Sequence, residues 1–166
     1  RYDLHENDPA DERYRKFLSR LFNPLSKKLN PESYGLDFGS GPGPTLNIMF
    51  EEEGHNMNIF DIYYANHPDV FTEKYDFITA TEVLEHLSKP KQEFNRLWNC
   101  LKPGGYFGIM TKFAPENDDF ADWHYRKDET HIAFYSKLTF EWLGNNWDTT
   151  PEFFGADTVI FQKPGE

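Results

Sequence analysis

Asp37-Phe38-Gly39-Ser40-Gly41-Pro42-Gly43 is the stretch whose reading decides the fold. Gly35 to Phe38 reads as a short strand, and the glycines after it form a tight turn that lets a ligand approach the backbone closely. From Pro44 to Glu53 the pattern is helical, with Leu46, Met49 and Phe50 on one face and Gly54 as the stop. Strand, glycine turn and helix together make a cradle for a nucleotide-like ligand. A dinucleotide fingerprint would need a third glycine where Pro44 stands, and a phosphate loop would need a Gly-Lys-Ser/Thr ending. Asn56 to Phe60 is the next strand. It ends at Asp61, whose carboxylate can accept hydrogen bonds from both hydroxyls of a ribose. The bland alternative is an ordinary structural turn.

Outward from the loop, Asp8-Pro9 reads as a helix start, and Tyr14, Phe17, Leu18, Leu21, Phe22 and Leu25 recur at helical spacing up to a bend or end near Pro24. Asp76 to Ala80 is a buried strand, and Asp69 to Phe71 is a minimal one before it. Ser88-Lys89-Pro90 opens a helix carrying Phe94, Leu97, Trp98 and Leu101. Lys102-Pro103-Gly104-Gly105 then turns into the strand Tyr106 to Met110. Ser136 caps a helix through Phe140, Trp142 and Leu143. Thr149 to Phe154 and Thr158 to Phe161 close the chain as a hairpin. The alternation predicts an α/β fold, a three-layer α/β/α sandwich with a doubly wound, mostly parallel sheet and a C-terminal antiparallel hairpin. Residues 1–166 are expected to form one domain, with 1–29 as an N-terminal lid and helix.

The 166 residues carry 28 Asp and Glu against 17 Lys and Arg, a formal charge of −11, which repels phosphate backbones and argues against a nucleic-acid partner. One cysteine, Cys100, allows no internal disulfide and no cysteine-based zinc site, which fits a reducing cytoplasm. No apolar run approaches the ~20 residues that span a bilayer, so no membrane insertion is expected.

Three segments, in this order, resemble the class I S-adenosylmethionine-dependent methyltransferases. They are Gly35-Leu36-Asp37-Phe38-Gly39-Ser40-Gly41-Pro42-Gly43, then Tyr75-Asp76-Phe77-Ile78-Thr79-Ala80-Thr81-Glu82-Val83-Leu84-Glu85-His86-Leu87, then Leu101-Lys102-Pro103-Gly104-Gly105-Tyr106. The Glu-Val-Leu-Glu-His run is similar to the branch containing the ubiquinone-biosynthesis O-methyltransferases. The resemblance implies S-adenosylmethionine as cofactor and S-adenosylhomocysteine as product. It places Asp37, Gly39, Ser40, Gly41 and Gly43 beside the methionine part, Asp61 on the ribose, and Thr81 and Glu82 near the methyl group. The stretch from Asp61 to Asp76 is too short for the helix and strand that relatives fit there. Their adenine contact therefore does not carry over, and Asn66 to Asp69 is a guess for that lining.

The implied acceptor is a small molecule or a carrier-borne metabolite, and a homodimer is an open option. A base is needed only if the acceptor must lose a proton, and His86, His124 and His131 are the candidates. Each has a structural alternative: His86 as an orienting residue of its loop, His131 as a hydrogen bond fixing its loop to the sheet. Glu82, Glu85 and His86 stand where some relatives in that branch hold a divalent metal. The preferred reading is no metal, with Glu85 and His86 capping the loop. Trp123, His124, Tyr125, Phe113 and Phe120 could line an aromatic acceptor pocket or belong to the core. Tyr2, His5 and Asn7 resemble lid segments. The rivals are a nicotinamide oxidoreductase, disfavoured by Pro44, and a non-catalytic cofactor-binding scaffold.

Overall fold

The computed structural model describes residues 8–115, 123 and 127–165. Strands β1 (Tyr34–Phe38), β2 (Asn56–Phe60), β3 (Tyr75–Thr81) and β4 (Leu101–Met110) are parallel, while β5 (Glu152–Phe154) and β6 (Thr158–Gln162) form the antiparallel hairpin. β6 inserts between β4 and β5, giving the order β2-β1-β3-β4-β6-β5. Helices α1 (Glu12–Ser26) and α2 (Leu46–Glu52) cover one face, and α3 (Pro90–Asn99) and α4 (Lys137–Asn146) cover the other. This is the expected three-layer, doubly wound sandwich.

Side-chain alternation along the strands feeds both cores. Leu18, Leu21 and Leu25 of α1 meet Phe50 of α2 and Phe77 of β3 on one side; Phe94, Leu97 and Phe140 meet Leu36, Ile78 and Phe107 on the other. Burying each such side chain fully contributes about 1.5–3 kcal/mol. Glycines set the spacing at two contacts. A Cβ at Gly35 would lie 2.4 Å from the Phe77 ring, and one at Gly108 would lie 2.7 Å from Leu21, so α1 seats directly on β4.

Three expectations need correction. Asp11, not Asp8, caps α1 by accepting from the N–H groups of Arg13 and Tyr14; Asp8 instead accepts from Ala10 in the preceding turn. α1 passes through Pro24 and stops two residues later at Ser26, in line with the expected end near Pro24. The helix expected after Ser136 is α4, on which Phe140 is buried and Trp142 is 61% exposed, since two residues is roughly 200° around a helix. Pro103-Gly104 does not separate α3 from a later strand but forms an irregularity inside β4, with Gly104 in the left-handed region at φ 81°.

The last of these corrections is the expected strand Asp69 to Phe71. Pro68–Thr72 is a 3₁₀ turn, opened by Pro68 and anchored by buried Val70, so β2 is the edge of the sheet. A polar knot holds this short connection in place. The Asn58 amide donates to the Tyr34 hydroxyl at 2.7 Å, to Glu73 at 2.9 Å and to the Tyr75 hydroxyl at 3.0 Å, and Tyr75 donates to the Val70 carbonyl at 2.7 Å. Asn58→Ala should lower stability by about 1–2 kcal/mol, since several partly buried acceptors lose one donor together. An unchanged urea midpoint would show the knot to be idle.

Candidate functional site

The carboxyl ends of β1, β2 and β3 meet at one rim, where open α/β sheets bind ligands. At the end of β1, Gly39 and Gly41 adopt φ 76° and 75°, and the N–H groups of Gly39 and Ser40 donate to the Phe60 carbonyl at 2.7 and 3.1 Å. A Cβ at Gly39 would lie 2.3 Å from Val83, so glycine is required by crowding as well as by backbone angle. The Ser40 hydroxyl is buried without a hydrogen-bond partner among the described residues. A buried orphan hydroxyl in a glycine turn suits a polar ligand. Gly43 closes the loop, its carbonyl accepting from the Thr45 hydroxyl at 3.0 Å.

Asp37 and Asp61 lie buried at the ends of adjacent strands. Asp37 accepts from the Thr79 hydroxyl at 2.9 Å. Burial pushes its carboxyl up to about 7; the Thr79 bond offsets part of the effect, and the Asp61 charge adds to it. Asp61 is tied on both oxygens: one accepts from the Gly41 N–H at 2.9 Å, the other from the N–H groups of Tyr63 and Tyr64 at 2.9 and 3.3 Å.

Beyond Thr81, Glu82 takes a left-handed backbone at φ 52°, and its N–H donates to the Met110 carbonyl at 2.8 Å. A non-glycine residue held there costs roughly 1–3 kcal/mol, which the neighbouring structure must offset. The turn that follows brings Glu85 and His86 against the segment before α4. The Glu85 carbonyl accepts from Ile132 and Ala133 at 2.7 and 3.0 Å, and the Tyr135 hydroxyl donates to the Leu84 carbonyl at 2.9 Å. His86 Nδ1 lies 2.7 Å from the Thr130 carbonyl. A carbonyl only accepts, so Nδ1 carries the proton and the neutral ring keeps its lone pair on Nε2. Burial holds the His86 pKa below its usual value. The His131 ring sits 5.0 Å from it, with Asp128 at 3.7 Å.

Glu85, His86 and His131 have ligating atoms within 4.8 Å of one another, an N,N,O set able to hold a cation. The Glu85 carboxylate already accepts from the Thr111 hydroxyl at 3.1 Å. This set differs by one member from Glu82, Glu85 and His86, the trio considered and not preferred as a metal site: His131 stands in the place of Glu82. Phe113 packs against the core, on Phe140 and Phe153. Trp123 contacts Phe134 at 5.8 Å. His124, Tyr125, Phe120, Tyr2, His5 and Asn7 lie outside the described residues. Sequence reading missed Thr79, Thr111 and Asp128. Only Asp128 carried a local signal, an Asp-x-Thr turn in which the Thr130 N–H and hydroxyl donate to its side chain.

A glycine cradle, two buried acids and a histidine pair on one carboxyl rim define a nucleoside-binding α/β domain of the methyltransferase type. The chain belongs to the methyltransferase-domain family, whose profile matches residues 10–148. It is similar to the ubiquinone biosynthesis O-methyltransferases of Erwinia tasmaniensis, 32% identical over 80 residues, and of Shewanella pealeana, 32% over 77 residues. These alignments cover 47% and 46% of this chain and 33% of each relative, so the chain spans about a third of their length. Two solved structures share the fold. The 1,6-didemethyltoxoflavin-N1-methyltransferase of Burkholderia thailandensis, with bound 1,6-didemethyltoxoflavin and S-adenosylhomocysteine, aligns with TM-score 0.66 at 14% identity over 93% of this chain and 82% of that one. A Pyrococcus horikoshii protein aligns with TM-score 0.57 at 15% identity over 95% and 94%.

The buried Asp37 makes stability depend on pH. Its carboxyl titrates near 7 when folded against an ordinary 3.8. Between those values the folded chain keeps a proton that the unfolded chain releases, so stability falls as pH rises across this window and levels off above it. Asp37→Asn keeps an acceptor for Thr79 and cannot ionise. Its urea midpoint should exceed the parent's above pH 7, with the gain vanishing near pH 4. An equal gain at every pH would contradict this assignment.

Proposed function

We propose that the domain transfers a methyl group from S-adenosylmethionine to a hydroxyl of a small-molecule or carrier-borne acceptor. The observation that carries this reading is the shared rim: Gly39, Gly41 and Asp61 on one side, and Thr81, Glu82, His86 and His131 on the other. The cofactor supplies an electrophilic methyl on a positively charged sulfur. Asp37, Gly39, Ser40, Gly41 and Gly43 would hold its methionine end, with the Ser40 hydroxyl gaining a partner. Asp61 would hold the ribose. A cationic ligand beside Asp37 and Asp61 relieves the mutual repulsion of two buried carboxylates.

Catalysis then needs the acceptor oxygen aligned with the methyl carbon, and positioning supplies most of the effect. As the oxygen–carbon bond forms, the carbon–sulfur bond breaks and its electron pair stays on the departing sulfur. The acceptor proton goes to His86 Nε2, the lone-pair nitrogen fixed by the Thr130 bond. His131 orients that ring and His124 is a further candidate. Glu85 serves as the buried anchor of the loop and not as a metal ligand. A homodimer and a reducing compartment suited to the free, buried Cys100 belong to the same proposal. Among the described residues no helix is long and apolar enough to cross a membrane.

Methyl-labelled S-adenosylmethionine offered with phenolic and alcoholic acceptors tests the reaction. Transfer is expected, with the rate rising with pH through a value below 6.5, because the base must be neutral and burial lowers the His86 pKa. His86→Gln should cost roughly 10²–10⁴-fold in kcat and abolish that acidic limb. Cofactor binding without transfer to any acceptor would favour the scaffold reading. A rate that depends on added divalent cation would assign Glu85, His86 and His131 to a metal.

A further inference from the structure

Two peptide planes flank Thr130, and both are tied to Asp128. The Thr130 N–H and hydroxyl donate to Asp128 Oδ1 at 2.9 and 2.7 Å, the side-chain turn that an Asp forms with the backbone two residues on. The His131 N–H donates to the Asp128 carbonyl at 3.0 Å. In a trans peptide the N–H and the C=O point in opposite directions, so this bond turns the Thr130 carbonyl away from Asp128. That carbonyl faces His86 Nδ1 at 2.7 Å. The second Asp128 oxygen lies 3.7 Å from His131 Nε2, whose ring stands edge to face with that of His86. The segment is also docked by bonds that do not involve Asp128. Ile132 and Ala133 donate to the Glu85 carbonyl, and the Tyr135 hydroxyl donates to Leu84. Asp128 therefore has a narrower task than holding the loop down.

We propose that Asp128 is a positioning residue for methyl transfer, acting through the Thr130 carbonyl to hold His86 in the one tautomer and orientation that leave Nε2 bare. The inference rests on His86 as the proton acceptor of the proposed reaction. A neutral imidazole can carry its proton on either nitrogen, and the hydrogen bond made by one nitrogen decides the state of the other. With the 130–131 peptide free to turn, the proton can sit on Nε2 instead, and a nitrogen that carries a proton cannot accept one. The ring also loses its fixed direction, and a displacement of about 1 Å in a catalytic group can cost roughly 10²-fold in rate. Within Asp128, the working atom is Oδ1. Asparagine keeps an acceptor oxygen for the Thr130 N–H and hydroxyl but carries no charge, whereas alanine keeps neither. The two substitutions therefore separate the geometry of the turn from the charge of the carboxylate.

Ring-nitrogen spectra of the full chain carrying nitrogen-labelled histidine test this without any ligand. They are recorded at a pH where the rings are neutral, with the His86 signals assigned by their loss in His86→Gln. The parent and Asp128→Asn should each show a single His86 tautomer, protonated at Nδ1, and Asp128→Ala should show both tautomers. Transfer from methyl-labelled S-adenosylmethionine to the phenol that the parent methylates fastest should follow the same order. Asp128→Ala should lower kcat by roughly 10- to 100-fold with the KM for S-adenosylmethionine unchanged, and Asp128→Asn should stay within about 3-fold of the parent. A single Nδ1-protonated tautomer or an undiminished kcat in Asp128→Ala overturns the proposal, as does an Asp128→Asn variant as impaired as Asp128→Ala. If the parent methylates no acceptor, the functional reading falls, and the spectra alone decide whether Asp128 fixes the ring.

Discussion

The upper half of the molecule depends on two carboxylates buried side by side. Asp37 and Asp61 lie at the carboxyl ends of adjacent parallel strands, Asp61 two residues beyond the ladder partner of Asp37, and the Asp61 charge adds to the cost of ionising the buried Asp37. The fold meets that cost with fixed donors. Thr79 reaches across from β3 to Asp37, while Gly41, Tyr63 and Tyr64 turn backbone N–H groups onto Asp61. Left-handed angles at Gly39 and Gly41 are what aim those backbone groups, and the bare Cα of Gly39 is what lets Val83 close beneath the loop. Change any of these and the acids lose their compensation. An arrangement this costly makes sense where a polar, cationic ligand completes it.

The same rim connects the two ends of the chain's chemistry. β3 leaves the sheet at Thr81 into a strained residue, Glu82, and from there into Glu85 and His86. The segment 127–136 is stitched to that turn by backbone bonds onto Glu85, a phenol onto Leu84 and an imidazole onto Thr130. A histidine whose Nδ1 is committed to a carbonyl has one defined lone pair, which is the property a proton acceptor needs.

Much of this was legible because each signal had a local physical cause. The Gly-Ser-Gly-Pro-Gly turn, the strand ending at Asp61 and the Ser136 cap with its reciprocal Thr139 bond all announce themselves within a few residues. The hairpin and the helix faces follow from period two and period 3.6. What escaped was set by tertiary contact. Nothing adjacent to Thr79 or Thr111 marks them as partners of Asp37 and Glu85, since each pair meets only through strand register. Asp69 to Phe71 carries apolar, strand-like residues, yet Pro68 and the pull of Tyr75 on the Val70 carbonyl wind it into a 3₁₀ turn. His131 joined His86 because of a loop crossing, which no spacing encodes.

The central claim is that Asp61 and the glycine loop act together as the nucleoside seat. Amide nitrogen–proton spectra recorded while S-adenosylhomocysteine is added test it directly, because Gly41, Tyr63 and Tyr64 all donate to one carboxylate. Their three resonances should shift together and saturate at one ligand concentration, while Gly104 and Gly105 at the opposite end of the sheet stay still. Shifts confined to that opposite end, or the same three resonances responding to NADH and not to S-adenosylhomocysteine, would contradict the account.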